Sequence, residues 1–235
     1  MAHELRHLDD SLWVHETPLR FLGLEIGRRM TAIRLGDGTL LVHSPAPLTR
    51  DLRAELDALG PVRHVVPASR LHGHLWMEHY AGAWPNCRLY AVPGLERKRS
   101  DLSFAAMLFD APDPAWGDDV DVAPLLGNRA ITELEFLHRP SRSLVFGDAG
   151  YHVASDRWPP LTRLVARLVG VRGRLAPTRD FRLAIRDRAA ARRSLERILA
   201  WDFDRVIVAH GDIVETGGRA ALRDGFDWLF GSGKR

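Results

Sequence analysis

Histidine and aspartate recur in this 235-residue chain where short apolar runs stop: His138 after ITELEFL, Asp148 after SRSLVFG and His210 after DRVIVA. A fourth group, LHGHLWMEH from Leu71 to His79, follows the run RHVVPAS. Neutral imidazole and carboxylate are the usual protein ligands of zinc, iron and manganese, and a catalytic site leaves one position open for water. An ion held in that way lowers the pKa of its water towards neutrality and so makes a hydroxide nucleophile. A strand delivers its side chains rigidly to the edge of its sheet, so four such strand ends predict one metal site assembled from distant segments.

Spacing sorts the donors within Leu71–His79. On a helix, His74 and Glu78 share a face one turn apart, whereas His72 and His79 are separated by about 10 Å of rise, too far for one ion. With a helix starting near Leu75, His72 falls in the loop at a strand end. It is the favoured ligand, His74 is the second candidate, and Glu78 and His79 read as ordinary helix residues. His138 closes an alternating strand with Glu133 and Glu135 on one face and Leu134 and Phe136 on the other; alone, it reads equally as a buried histidine bonded to backbone. Asp148 alone reads as a turn former before Ala149-Gly150. His210 precedes a glycine that lets the chain turn, and Asp212 is a candidate to orient it. His3, His7, His15, His43, His64 and His152 fit no ligand spacing. The chain contains no G-x-S-x-G, P-loop or G-x-G-x-x-G, and His15-Glu16 lacks the second histidine of a metalloprotease helix.

The elements that must position these donors follow from pattern. SLWVHE, RMTAIRL and TLLVHS read as strands, the last two joined by the turn Gly36-Asp37-Gly38. Thr49 to Leu59 reads as a helix ended by Gly60-Pro61, followed by the strand VRHVVPA, a helix over Leu75–Ala83 and the strand CRLYAV. Residues 96–130, rich in Asp, Pro and Gly, read as long surface loops. Strands over 131–138 and 143–148 open the second half. Helices over 158–169 and 186–201, the strand RVIVAH and a helix over 218–230 complete it. Hairpins followed by alternating strands and helices predict a layered α/β fold, read as a single domain over 1–235.

Composition bounds the rest. With 46% hydrophobic residues and a mean hydropathy of −0.17 there is ample material for a core. No apolar run approaches the roughly 20 residues needed to span a bilayer, and MAHELRHLDD lacks the apolar stretch of a signal peptide. The single cysteine, Cys87, excludes an internal disulfide framework and makes the cytoplasm the expected location. The net charge is only +3, although arginines thicken between Arg157 and Arg197. That stretch reads as a solvated helical face, which argues against nucleic acid as the partner and leaves a small-molecule substrate.

Three longer stretches carry a resemblance: ETPLRFLGLEIGRRMTAIRLGDGTLLVHSP, FLHRPSRSLVFGDAG and RILAWDFDRVIVAHGDIVETGG. In these the chain resembles the metallo-β-lactamase fold superfamily, and more closely a bacterial domain family of unknown function within it. The resemblance implies a four-layer αββα sandwich with a metal site at one edge between the two sheets. It also implies that the superfamily's first cluster, His-x-His-x-Asp-His, falls on Pro67, Ser69, Leu71 and His72, of which only His72 could ligate. The later ligands correspond to His138, Asp148 and His210. The close branch carries two adjacent histidines where this chain has His72-Gly73-His74, so His72, His74 or both stand in that role.

Two functional expectations follow. Pro67 and Leu71 cannot ligate through their side chains, so one divalent ion is expected rather than two, zinc foremost, with iron or manganese as alternatives. The first expectation is a mononuclear metal-dependent hydrolase of a small ester or lactone, with Asp148 holding the reacting water or taking its proton. The second, from the eroded first cluster, is a catalytically inactive domain that binds a ligand or partner.

Overall fold

Alternating and β-branched runs become strands in both halves of the chain. The computed structural model describes residues 5–71 and 73–231. In chain order the first strands are β1 (Arg6–Asp9), β2 (Leu12–Thr17), β3 (Arg20–Phe21), β4 (Leu24–Glu25), β5 (Arg28–Arg34) and β6 (Leu40–His43). Then come α1 (Arg50–Leu59), β7 (Val62–Val66), α2 (Met77–Ala83), β8 (Arg88–Ala91), α3 (Leu95–Lys98) and β9 (Ala106–Met107). The second half comprises β10 (Val120–Leu125), β11 (Glu133–His138), β12 (Ser143–His152), α4 (Pro160–Val169), α5 (Arg179–Ala184), α6 (Arg188–Leu199), β13 (Arg205–Gly211) and α7 (Gly218–Gly225). The Thr49 hydroxyl caps α1 by accepting from Leu52 N at 3.0 Å.

Two main sheets result, in the orders β1-β2-β5-β6-β7-β8-β9 and β10-β11-β12-β13, with β3–β4 a separate hairpin. Antiparallel pairing gives way to parallel pairing at β6–β7 in the larger sheet and at β12–β13 in the smaller. Parallel neighbours need long crossovers, which α1 and α2 supply in the larger sheet and α4 to α6 in the smaller. Leu134, Phe136, Val145 and Ile207 of the smaller sheet share one buried cluster with Ile33, Val42 and Val65 of the larger. Leu52, Leu56, Met77 and Tyr80 of α1 and α2 complete that cluster. Behind the smaller sheet, Leu144, Phe146, Val206 and Val208 pack with Leu195 and Ile198 of α6 and Leu222 of α7. Helix, sheet, sheet and helix therefore stack as the resemblance implied.

The loop expectation for residues 96–130 needs correction, because β10 lies inside it and pairs with β11 over six residues. Its Pro124 and Asp121 hide it in the sequence, yet proline is tolerated there because β10 is the edge strand of its sheet. Among the described residues no helix is long and apolar enough to cross a membrane.

Candidate metal centre

Asp148 and His210 stand on the parallel neighbours β12 and β13. The two strands pair in step from Ser143↔Arg205 to Phe146↔Val208 and resume at Tyr151↔His210. Five residue steps on β12 thus oppose two on β13, so Gly147–Gly150 bulge out of the ladder; the strand does not stop at Asp148, as its sequence suggested, but carries it on this bulge and runs on to His152. Glycine is needed on both sides of that bulge. A Cβ at Gly147 would lie 2.3 Å from Glu133 Oε1, and one at Gly150 would lie 2.7 Å from Phe146 Cδ1.

The result is a buried Asp–His pair, with His210 Nε2 at 3.3 Å from Asp148 Oδ1. His210 Nδ1 lies 2.7 Å from the Gly27 carbonyl oxygen, which can only accept, so the proton resides on Nδ1. The Tyr151 ring stacks on the imidazole at 5.0 Å. Arg29 of β5 fastens the end of β13 from across the two sheets, donating to the carbonyls of Val208 and Gly211 and pairing with Glu16 at 2.7 Å. On the other side, the Ser69 hydroxyl donates to Asp148 Oδ2 at 3.1 Å.

Three further groups surround the pair. Glu133 and Glu135 are completely enclosed, and their carboxylates accept the bulge's N–H groups: Gly147 N on Glu135 Oε2 at 3.0 Å and Ala149 N on Glu133 Oε1 at 3.1 Å. Burial pushes both carboxyls up, Glu135 to about 8; for Glu133 the charges of Glu135 and Asp148 add to it. The Arg28 guanidinium, buried over the Trp76 ring, donates to the Pro45 carbonyl at 2.6 Å. Desolvation lowers its pKa to about 10, against the opposing charges of Tyr80 and Asp148. His43, at the end of β6, is held neutral by burial, with its pKa depressed to about 3 although Asp148 pulls it upward. These residues carried no spacing signal; the one clue to the glutamates was their i, i+2 placement on a strand that proves buried on both faces.

The remaining candidates lie elsewhere. His138 pairs with Ser143 at the start of β12, so about 15 Å of strand separates it from Asp148. Its ring bonds Ser141 Oγ at 2.6 Å and Ser11 Oγ at 3.4 Å, and burial lowers its pKa to about 4. It therefore does not join the Asp148–His210 pair. His74 donates from Nε2 to the Leu71 carbonyl at 3.1 Å, and its Nδ1 lies 3.5 Å from Arg99 Nη1. Burial and the adjacent Lys98 and Arg99 charges lower its pKa, surroundings that oppose a cation. His72 lies outside the described residues. Asp212 does not orient His210. It gathers Ala154 N, Ser155 N and Oγ, Arg157 Nε and Trp158 Nε1, donors that outweigh burial and hold it at about 2.

Among the described residues no group of three or more His, Cys, Asp or Glu converges as a ready-made metal cage. The pair itself nevertheless fits one. With Nδ1–H committed to the Gly27 carbonyl, His210 turns Nε2 towards a carboxylate oxygen 3.3 Å away. A ring nitrogen and a carboxylate oxygen at this separation can share a proton or both ligate a metal ion. A backbone carbonyl on the other nitrogen is the usual partner of a ligating histidine.

Comparison with known proteins then places the chain. A sequence profile described as "Domain of unknown function (DUF4336)" matches residues 9–181, well over half of its length. The chain belongs to the DUF4336 family. That match includes Asp148 and stops short of His210. Among solved structures, a metallo-β-lactamase from Pontibacter korlensis aligns with a TM-score of 0.66 at 11% identity, covering 98% of this chain and 100% of that one. A metallo-β-lactamase from Erythrobacter litoralis gives 0.65 at 17% identity, covering 97% and 96%. The Flv1 flavodiiron core from Synechocystis gives 0.67 at 14% identity, covering 97% of this chain and 61% of the other. The fold of this DUF4336 member is therefore the metallo-β-lactamase fold; identities this low establish the fold alone. No curated protein matches it.

Proposed function

We propose that Asp148 and His210 hold one divalent cation, zinc foremost, with His72 as a further ligand, in a hydrolase acting on a small ester or lactone. The observation that carries this reading is the opposition of His210 Nε2 and Asp148 Oδ1 across 3.3 Å, with the imidazole tautomer set by the Gly27 carbonyl. Such an ion, when bound, supplies a Lewis acid and a water of lowered pKa. The chain's own residues do the positioning. Ser69 orients Asp148, the glutamate pair holds the bulge that presents it, and Gly27 with Tyr151 orients His210. Pro67 and Leu71 leave no ligand set for a second ion. His138 and His74 are left out of the proposed ligands because their rings are engaged elsewhere.

The test is hydrolysis of a panel of aryl esters and lactones by zinc-loaded protein, beside Asp148→Ala treated identically. The expected result is turnover that the substitution abolishes. Equal turnover by both proteins, or none by either, contradicts the hydrolase reading.

One observation favours a second reading, a binding module without metal chemistry. Asp148 already has a hydroxyl donor in Ser69 and lies in the field of the buried Arg28 guanidinium, so its charge is partly compensated by the chain itself. Protein that takes up no ion yet binds a small anion at this edge would support that reading.

A further inference from the structure

Helix α4 turns Thr162, Val165, Ala166 and Val169 towards the fold and leaves a second apolar stripe outside. Its buried residues are Thr162 and Ala166, while Leu161, Leu164 and Leu168, at i, i+3 and i+7, are between 55% and 60% exposed. Spacings of three and four residues bring these three leucines onto a single stripe facing solvent. The adjoining β3–β4 hairpin does the same at its tip, where Phe21 and Leu22 are 61% and 87% exposed. Thr162 Oγ1 donates to the Glu25 carbonyl at 3.0 Å, so helix and hairpin are tied together. Five large apolar side chains on two joined elements exceed the scattered singles of an ordinary surface.

Charge selects what covers them. Residues 157–179 contain six arginines and no acidic residue. Beside the leucine stripe lies a surface depression of about 580 Å³ lined by Arg163, Leu164, Arg167, Arg172 and Arg174. Arg163 and Arg172 share one carboxylate, Asp156, at 2.6 and 2.9 Å, and Arg174 donates to the Asp224 carbonyl. Asp156 is one acidic group against four guanidiniums, so the depression stays cationic. A second copy on this face would set arginine against arginine across a two-fold axis, which like-charge repulsion disfavours.

We infer that α4 and the β3–β4 tip form a docking surface for an anionic phospholipid membrane, with the leucines and Phe21 entering the headgroup–acyl boundary and the arginine depression taking lipid phosphates. Leucine on one face with arginine flanking it is the pattern of helices that lie in a membrane interface. Here the fold has already formed the helix, so binding need not supply its ordering. The same surface adjoins the candidate metal centre, because the β3–β4 hairpin leads directly into Gly27, whose carbonyl holds His210.

Co-sedimentation with large vesicles tests this, using phosphatidylcholine alone and phosphatidylcholine mixed two to one with phosphatidylglycerol. The full chain is expected to partition onto the anionic vesicles about tenfold more strongly than onto the neutral ones. Leu164→Ser/Leu168→Ser and, separately, Arg167→Glu should each lower that partitioning about tenfold while the thermal midpoint stays put. No sedimentation with anionic vesicles overturns the inference, as does sedimentation that neither variant changes. A wild-type dimer that the leucine variant dissociates, without vesicle binding, would instead assign the face to a second copy and equally overturn it.

Discussion

His138 and His210 place the same side chain at the end of a strand, yet their partners differ: two serine hydroxyls for His138, the Gly27 carbonyl and Asp148 for His210. His138 meets two serine hydroxyls and has its pKa pushed down to about 4 by burial. In the unfolded chain it would titrate near 6.5, so the unfolded state binds more protons between those values. The stability contributed by neutral His138 is therefore full above about pH 6.5 and lost as pH falls through about 4, a loss of about 3 kcal/mol at its end. Urea unfolding of wild type and His138→Gln at neutral and mildly acidic pH checks this. The variant should be the less stable at neutral pH, by about 1–3 kcal/mol, and should show a shallower acid loss. Parallel pH curves for the two proteins would contradict it. His138 was legible as a polar strand end, but of the two serines that satisfy it only Ser141 is a neighbour in sequence, and nothing local announces Ser11.

Strand direction explains which donors meet. β11 runs antiparallel to β12, so its last residue, His138, sits at the edge opposite Asp148; β13 runs parallel to β12, so His210 reaches the same edge. Alternation in the sequence marks strands and their ends without saying which edge an end faces, and this is why two of the later strand-end donors converge and the third does not. The strands and the major helices were legible from alternation and helical spacing. β10 was masked by Pro124, and the bulge Gly147–Gly150 is a tertiary feature that appears in sequence only as a Gly-Asp-Ala-Gly run. Its supports make two predictions. Gly147→Ala drives a methyl against Glu133 and Ala68, and should destabilise by about 1–3 kcal/mol and weaken metal uptake, measured by calorimetric unfolding and zinc titration. Glu135, raised to about 8 from an ordinary 4.5, is protonated in the fold, so the stability it contributes is full below about pH 4.5 and is lost as pH rises through about 8. Glu135→Gln should flatten the decline of the thermal midpoint between those values, and an unchanged decline would contradict the assignment.

At the scale of the whole molecule, four layers leave two margins to which function is proposed: the sheet edge holding Asp148 and His210, and the α4–hairpin surface beside it. The apolar spacing of α4 was evident in the sequence, yet its leucines face solvent while Thr162, Val165, Ala166 and Val169 fill the contact below, a choice between two apolar stripes that spacing alone cannot make. Because those leucines bury so little, Leu164→Ser/Leu168→Ser should alter unfolding free energy by no more than about 0.5 kcal/mol in urea. The proposed metal centre occupies the other margin. Elemental analysis of untagged protein, reconstituted with zinc and freed of excess, compares wild type with Asp148→Ala and His138→Ala. About one equivalent is expected in wild type and in His138→Ala, and none in a folded Asp148→Ala. Metal retained in Asp148→Ala, or lost in His138→Ala alone, would contradict it.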